Sequence, residues 1–248
     1  MKKKLVTFLM SALVLAFLPG CKKVLDYIHD NPSADFTECQ IQEIILPGGV
    51  KGTFTYNKHG DPVSVIYTSN TSERPNFSFK YDNKRRLIES LEYYDNGVYK
   101  YWSRYKYNKD GLIISDSTYE AGLIVNGAPI PGDAERLVRN YTYDAQNRIT
   151  KIVQHWPDSP ESGEGEIEWQ YDANGNRQSE GPALTYDNKM NIHRTHKVFM
   201  FIDREYSRNN HIGATSYNAK YLPTQFGSTV QRFLIVGLAN SQITYKCK

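Results

Sequence analysis

Two histidines at His193 and His196, a run of Asx residues from Asp172 to Asn176, and five acids between Pro157 and Glu168 are the positions whose chemistry is easiest to name. A His-x-x-His spacing suggests zinc, but on a strand the two rings point to opposite faces. No Glu-bearing helix motif accompanies them, so two surface histidines are the simpler expectation. The segment Asp172-Ala173-Asn174-Gly175-Asn176 grazes a calcium-loop pattern. Its glycine comes one place early and no terminal Glu follows at the required spacing, which leaves turn capping. Asp158, Glu161, Glu164, Glu166 and Glu168 form an expected mobile acidic hairpin loop with solvated charge. The chain has no Gly-x-Ser-x-Gly elbow, His-Glu-x-x-His, phosphate loop or dinucleotide fingerprint. Paired carboxylates for sugar hydrolysis need only a separation in space, and the sequence singles out no pair. No catalytic residue, metal or cofactor is therefore expected.

Aromatic side chains offer the one binding chemistry. Trp102, Trp156 and Trp169 on a concave sheet could stack on sugar rings or peptides, with core and interface packing as the alternative. Asp116-Ser117-Thr118 looks like the O-glycan acceptor of some envelope bacteria.

The cysteines bear on the compartment. Lys2, Lys3 and Lys4 precede an apolar run from Leu5 to Leu18 that only Thr7 and Ser11 interrupt. That length suits a secretory h-region of roughly 7–15 residues and is short of the ~20 a spanning helix needs. The run ends in Leu18-Pro19-Gly20-Cys21, which resembles the bacterial lipobox at Leu18, Gly20 and Cys21. The resemblance implies residues 1–20 as a lipoprotein signal peptide, with diacylglycerol and palmitate on Cys21. An ordinary signal with an incidental cysteine, or an uncleaved anchor, stays open. Removing residues 1–20 takes three lysines and no acid, so the net charge falls from +3 to 0. No like-charge block remains to bind nucleic acid. Residues 21–38, with Asn31-Pro32-Ser33, suit a tether. Lys22 and Lys23 favour the outer membrane and its periplasmic face, with the membrane reached through lipid alone. Cys39 and Cys247 are then an even pair in an oxidising compartment, and a disulfide tying the domain ends is expected, against two free thiols.

The elements that must position these residues are strands. Tyr outnumbers Gly, 19 to 17, in a chain with 4 Met, and aromatic rings suit a pleated surface. From Cys39 onward one pattern recurs, a tyrosine followed by Asn or Asp, polar residues with Gly, Asn or Arg, then an apolar residue. It stands at Tyr56-Asn57, Tyr81-Asp82, Tyr107-Asn108, Tyr143-Asp144, Tyr171-Asp172, Tyr186-Asp187 and Tyr217-Asn218, with a shorter form at Tyr94-Asp95. An Asx side chain caps its own turn, and the Gly or Asn beyond it can take positive φ. Flanking residues alternate with period two, as in Phe54 and Tyr56, then Val63, Val65 and Tyr67. The fold class is all-β. The expectation is one domain, 39–248, an antiparallel meander of about a dozen strands curled into a barrel-like or rolled open sheet. Val198 to Ile202 breaks the pattern as a buried strand or one short helix near 197–207, with Val198, Ile202 and Tyr206 on one face.

These tyrosine-Asx units resemble the YD repeats of Rhs-type bacterial proteins. The order from lipobox through Cys39, Gly60-Asp61-Pro62, Arg204 to Asn210, Leu222-Pro223 and Ile243 to Cys247 is similar to an envelope lipoprotein family of unknown function with a porin-like fold. The resemblance implies a barrel-like β fold and no activity. Spanning strands of about ten residues with a lipid-facing apolar row are not the pattern here, because Lys100, Arg104 and Lys106 share a face. The function expected is a lipid-anchored, non-catalytic binding or scaffolding module for a glycan or envelope protein. The alternatives are a purely structural envelope lipoprotein or an envelope hydrolase.

Overall fold

The structure, a computed structural model, describes residues 39–132, 136–179 and 184–247. The expected signal peptide, Cys21 and the tether lie outside the described residues. The chain runs through β1 (Cys39–Ile45), β2 (Lys51–Tyr56), β3 (Pro62–Tyr67), β4 (Asn76–Tyr81), β5 (Leu87–Tyr93), β6 (Val98–Tyr107), β7 (Ile113–Val125), β8 (Ala128–Pro131) and β9 (Arg136–Tyr143). It continues through β10 (Ile149–His155), β11 (Glu164–Glu168), β12 (Tyr186–Met190), α1 (Lys197–Asp203), β13 (Asn209–His211), β14 (Ala214–Tyr217), β15 (Pro223–Phe226), β16 (Arg232–Phe233), β17 (Val236–Gly237) and β18 (Gln242–Cys247).

Fourteen of these strands form one antiparallel sheet in the order β11-β10-β9-β7-β6-β5-β4-β3-β2-β1-β18-β15-β14, with β8 pairing the end of β7. The sheet is the rolled open form: β11 and β14 are its two edges, and no barrel closes among the described residues. No helix among the described residues is long and apolar enough to cross a membrane. The last strand returns to lie beside the first, and Cys39 and Cys247 are opposite partners joined by a disulfide.

The turns follow from local chemistry. In the turn after β6, Asn108 Oδ1 accepts from the backbone N–H of Asp110 (3.0 Å) and of Leu112 (2.9 Å). The same pair of bonds recurs at Asn57, Asp82, Asp144, Asp172 and Asn218. Each turn places its fourth residue, counted from the Asx, in the left-handed region, where Gly60, Gly111 and Gly175 are unstrained and Arg85, Asn147 and Tyr221 are not. Asp172 to Asn176 is thus a capped turn. Two sites differ. Tyr186-Asp187 makes no turn and sits in β12: Asp187 Oδ1 keeps the first capping bond, from Lys189 N–H, but the Asn191 N–H goes to the Arg208 carbonyl, and the carboxylate also accepts from Asn210 N–H and the Tyr217 hydroxyl. At Tyr94 the turn begins one residue earlier, with Tyr94 N–H bonding to the Val98 carbonyl.

The turn tyrosines stitch the meander. The hydroxyls of Tyr81, Tyr143 and Tyr171 donate to the carbonyls of Pro62, Ile113 and Ile149 at 2.7, 2.7 and 3.0 Å. Each acceptor is the sixth residue after the tyrosine of the preceding turn. Just past each turn the register slips by one, so that Tyr81 faces Leu87 while Lys80 faces Glu89. This bulge reverses the alternation. Val63 therefore points to solvent at 38% exposure while Val65 is sealed, contrary to the shared face expected for them.

The segment 197–203 is a helix, not a strand. It carries no single apolar face and does not merely cover one end of the roll, because Val198, Phe199, Met200 and Phe201 are all buried. Phe199 meets Phe54 and Phe79, and Phe201 meets Tyr105 and Tyr141, with ring centroids 5.2–6.5 Å apart. The sheet wraps around these seven residues, so two joined clusters form the core.

Candidate functional site

The concave face is packed solid over β1–β4 and polar over β5–β9. The bulge after the Asp82 turn sets Ser90 and Glu92 inward. Across the ladder Ser90 faces Ser103 and Glu92 faces Tyr101; on the next strand Thr118 faces Ser103 and Asp116 faces Tyr105; Arg139 of β9 faces Asp116. With Phe201, Ile202 and Arg204 as its roof, this patch lines a cavity of about 210 Å³. Such a volume lies below the ~300–1,000 Å³ of drug-sized pockets, so it suits a ligand of a few heavy atoms.

Asp116 organises the floor. Its Oδ2 accepts from Thr118 (2.7 Å) and Arg139 (2.8 Å), and its Oδ1 accepts from the Tyr141 hydroxyl at 2.8 Å. Asp116 and Thr118 are 2% and 3% exposed. Within Asp116-Ser117-Thr118, Thr118 is sealed and bonded at mid-strand, while Ser117 is partly exposed. Glu92 is the opposite case. Its Oε2 is buried with no hydrogen-bond partner. Burial pushes its carboxyl up to about 7, against the field of Lys100.

Arg204 completes the site. It ends α1 at φ 53°, where glycine is the usual residue. Its guanidinium makes only long bonds, 3.4 Å to the Ile202 carbonyl and 3.5 Å to the Tyr141 hydroxyl, and its Nε is buried without a partner. Among the described residues neither Glu92 nor Arg204 has an ion-pair partner within 4 Å, whereas Arg139 pairs with Asp116. The cavity thus presents one unmet acceptor and one unmet donor.

The tryptophans do not meet. Trp102 lies on the convex face, stacked on Tyr119 with its indole N–H on Glu89. Trp156 follows β10, half-buried. Trp169 follows β11, packed on the second core cluster beneath Arg177. No ring contact joins any two of them among the described residues.

His193 is buried and His196 is half-buried, and neither is on a strand. His193 is on a 3-10 turn (Ile192–Thr195) capped by Asn191. Its Nδ1 meets Asn191 Oδ1 at 2.9 Å and its Nε2 meets Asp203 Oδ2 at 2.7 Å. His196 Nδ1 accepts from Val198 N–H as the N-cap of α1. Burial lowers its pKa to about 4 although Asp61 lies beside it. No metal-holding cluster occurs among the described residues. A second cleft, of about 260 Å³, is lined by Arg177, His193, Glu205, His211 and Gln231 among others. The acidic segment is only partly a loop, because Glu164–Glu168 pairs with β10 and Lys151 bridges Glu166 and Glu168.

Sequence reasoning missed Glu92 and Arg204. Strict alternation from Leu87 puts Glu89 inward, and the bulge puts Glu92 there instead.

No family model matches the chain, and no curated protein matches it. Solved structures to which it is similar are Tc toxin complexes. One is the crystal structure of TcdB2-TccC3-TEV, at 15% identity and TM-score 0.26. Another is a TccC3 mutant of the Photorhabdus luminescens Tc holotoxin pore, at 18% identity and TM-score 0.25. Each match covers 77% of this chain and 10% of the other, so the chain spans a tenth of either length.

Proposed function

We propose that the chain is a lipid-anchored envelope protein, on the periplasmic face of the outer membrane, whose YD-like repeat domain is a non-catalytic binding module. Its ligand, from an envelope glycan or protein, occupies the concave cavity and not a tryptophan platform. The observation that carries this reading is one cavity lined by Glu92 and Arg204, each of which also holds a buried polar atom, Oε2 and Nε, without a hydrogen-bond partner. Buried polar atoms are nearly always bonded, to protein, water or ligand, and a ligand with both a donor and an acceptor suits a cavity lined by these two residues. Hydrolysis by two carboxylates fits less well, because Glu92 on β5 faces Tyr101 while Asp116 on β7 faces Tyr105, which sets the two acids two strands and four residues apart.

Thermal melting of the full-length chain against a panel of sugars and peptides tests the reading. A ligand selective for the folded state raises the midpoint. Stabilisation that vanishes in Glu92→Gln supports the cavity, and a panel without effect defeats the proposal. The anchor is tested separately by labelled palmitate, which should enter the wild type and not Cys21→Ser.

A further inference from the structure

We infer that the cavity takes a small zwitterion, an α-amino acid or the free end of a short peptide, with its ammonium on Glu92 and its carboxylate on Arg204. The inference rests on the binding reading above and names the ligand's charge pattern.

A neutral polyol would satisfy single hydrogen-bonding atoms, but the imbalance here is ionic. Arg204 and Glu92 are half-buried side chains, each with one sealed and unpartnered atom, and among the described residues Arg204 has no carboxylate, and Glu92 no cation, within 4 Å. Unpaired buried charges are costly. The two line one cavity without an ion pair between them, and burial raises the Glu92 carboxyl more than the fields of Lys100, Arg204 and Arg139 lower it, so its charge is only partly met. A ligand bearing both signs meets both needs at once. Arg139 and Asp116 pair directly at 2.8 Å and reach Glu92 and Arg204 only through longer-range fields. Size agrees, because about 210 Å³ admits an amino acid or a dipeptide end and excludes a long glycan. The walls of Tyr101, Phe201 and Ile202 beside Ser90 and Ser103 offer a mixed surface to the rest of the ligand.

Arg204 also occupies a left-handed backbone conformation, φ 53°, that disfavours side chains. Glycine would end the helix without strain. The side chain kept there reaches the cavity roof.

The test is calorimetry and thermal melting of the full-length chain with alanine and alanyl-alanine as zwitterions. N-Acetylalanine lacks the ammonium, alaninamide lacks the carboxylate, and glucose is the neutral polyol. The zwitterions should bind, and loss of either ligand charge should weaken binding at least tenfold. An ammonium beside Glu92 favours its ionised form, so binding near pH 7 should release a proton. The apparent enthalpy should then vary with the ionisation enthalpy of the buffer. Affinity should fall about tenfold per unit as pH drops below 7. Glu92→Gln should keep its circular dichroism and lose zwitterion binding, while Trp102→Phe on the convex face should bind as wild type. Glucose binding without zwitterion binding overturns this inference and leaves the binding module standing. Equal binding of alanine and N-acetylalanine also overturns it. Failure of every probe, together with no response to the wider panel, removes both.

Discussion

The Tyr107 hydroxyl donates to the carbonyl of Leu87 at 2.8 Å, and Leu87 is the residue that restarts the chain six places after Tyr81. The same offset links Tyr81 to Pro62, Tyr143 to Ile113, Tyr171 to Ile149 and Tyr245 to Pro223. Each turn is thereby fastened to the next by a side chain, in addition to the ladder between strands.

Tyr107→Phe keeps the ring and removes the donor from a part-buried carbonyl. The expected cost is about 1–2 kcal/mol, with Tyr81→Phe and Tyr143→Phe in the same direction. Tyr221→Phe, at a residue 61% exposed, should change stability by less than about 0.5 kcal/mol. Urea midpoints at constant slope check this. Burial pushes the Tyr107 phenol up to about 12 and raises Tyr81 and Tyr143 further. Absorbance titration below pH 11 should therefore leave these rings protonated.

The turn conformation makes a paired prediction of opposite sign. Gly111 sits at φ +83° with open space where a Cβ would go, so Gly111→Ala meets no neighbour and should lose about 1 kcal/mol from backbone strain alone. Tyr221 holds the equivalent place at φ +61°. Tyr221→Gly should gain up to about 1 kcal/mol, reduced by the lost contact of its ring with Lys189 at 4.6 Å and by the freedom glycine adds to the unfolded chain. Thermal denaturation of both variants checks the signs.

Glu92 and His196 give stability opposite pH slopes. Burial lowers His196 from 6.5 to about 4, so acid charges the unfolded chain first, and stability is lost as pH falls from 6.5 through 4. Burial raises Glu92 from 4.5 to about 7, so its contribution is present below 4.5 and lost as pH rises through 7. Between pH 4.5 and 6.5 the two cancel, and the unfolding free energy of the wild type should be nearly flat. Glu92→Gln should expose the His196 slope, on the order of 1.4 kcal/mol per pH unit, with stability falling towards acid. His196→Gln should tilt the profile the other way. Denaturant midpoints at half-unit steps across that window decide it, and a steep wild-type profile would contradict the pairing.

The turns were legible because their chemistry is local. An Asx oxygen bonds N–H groups two and four residues on, and a left-handed residue follows, all within six positions. What escaped was the face on which distant residues land. One extra residue after each turn reverses the alternation, so Pro62 and Val65 point inward where Val63 and Val65 were expected to share a face. The same slip hides Glu92. The Asp187 turn failed for a related reason, because its capping oxygen finds Asn210 and Tyr217 only after the chain has folded. The helix at 197–203 was ambiguous in sequence, since five apolar residues fit either a strand or a buried turn of helix. His196, as its N-cap, and the surrounding aromatic rings decide the matter.

The disulfide was legible as an even pair, and its energetic role follows from where it lies. Cys39 and Cys247 face each other at the end of the β1–β18 ladder, where five further residue pairs, from Gln40–Lys246 to Ile45–Gln242, remain once the sulfur bond is gone. The native sheet should therefore survive its removal, and the effect should fall on the unfolded chain, which the bond closes across 208 residues. The chain-entropy model sets an upper figure of about 5 kcal/mol for such a loop, and 2–5 kcal/mol is the usual range. Cys39→Ala with Cys247→Ala should lose an amount in that range, with near-ultraviolet circular dichroism unchanged below the transition. Closing β18 onto β1 without the bond is a long-range step paid in loop entropy. Refolding of the double variant should therefore slow more than its unfolding quickens if the two strands pair before the rate-limiting barrier. Stopped-flow rates in both directions measure that division, and a change confined to unfolding would place the closure of the sheet after the barrier.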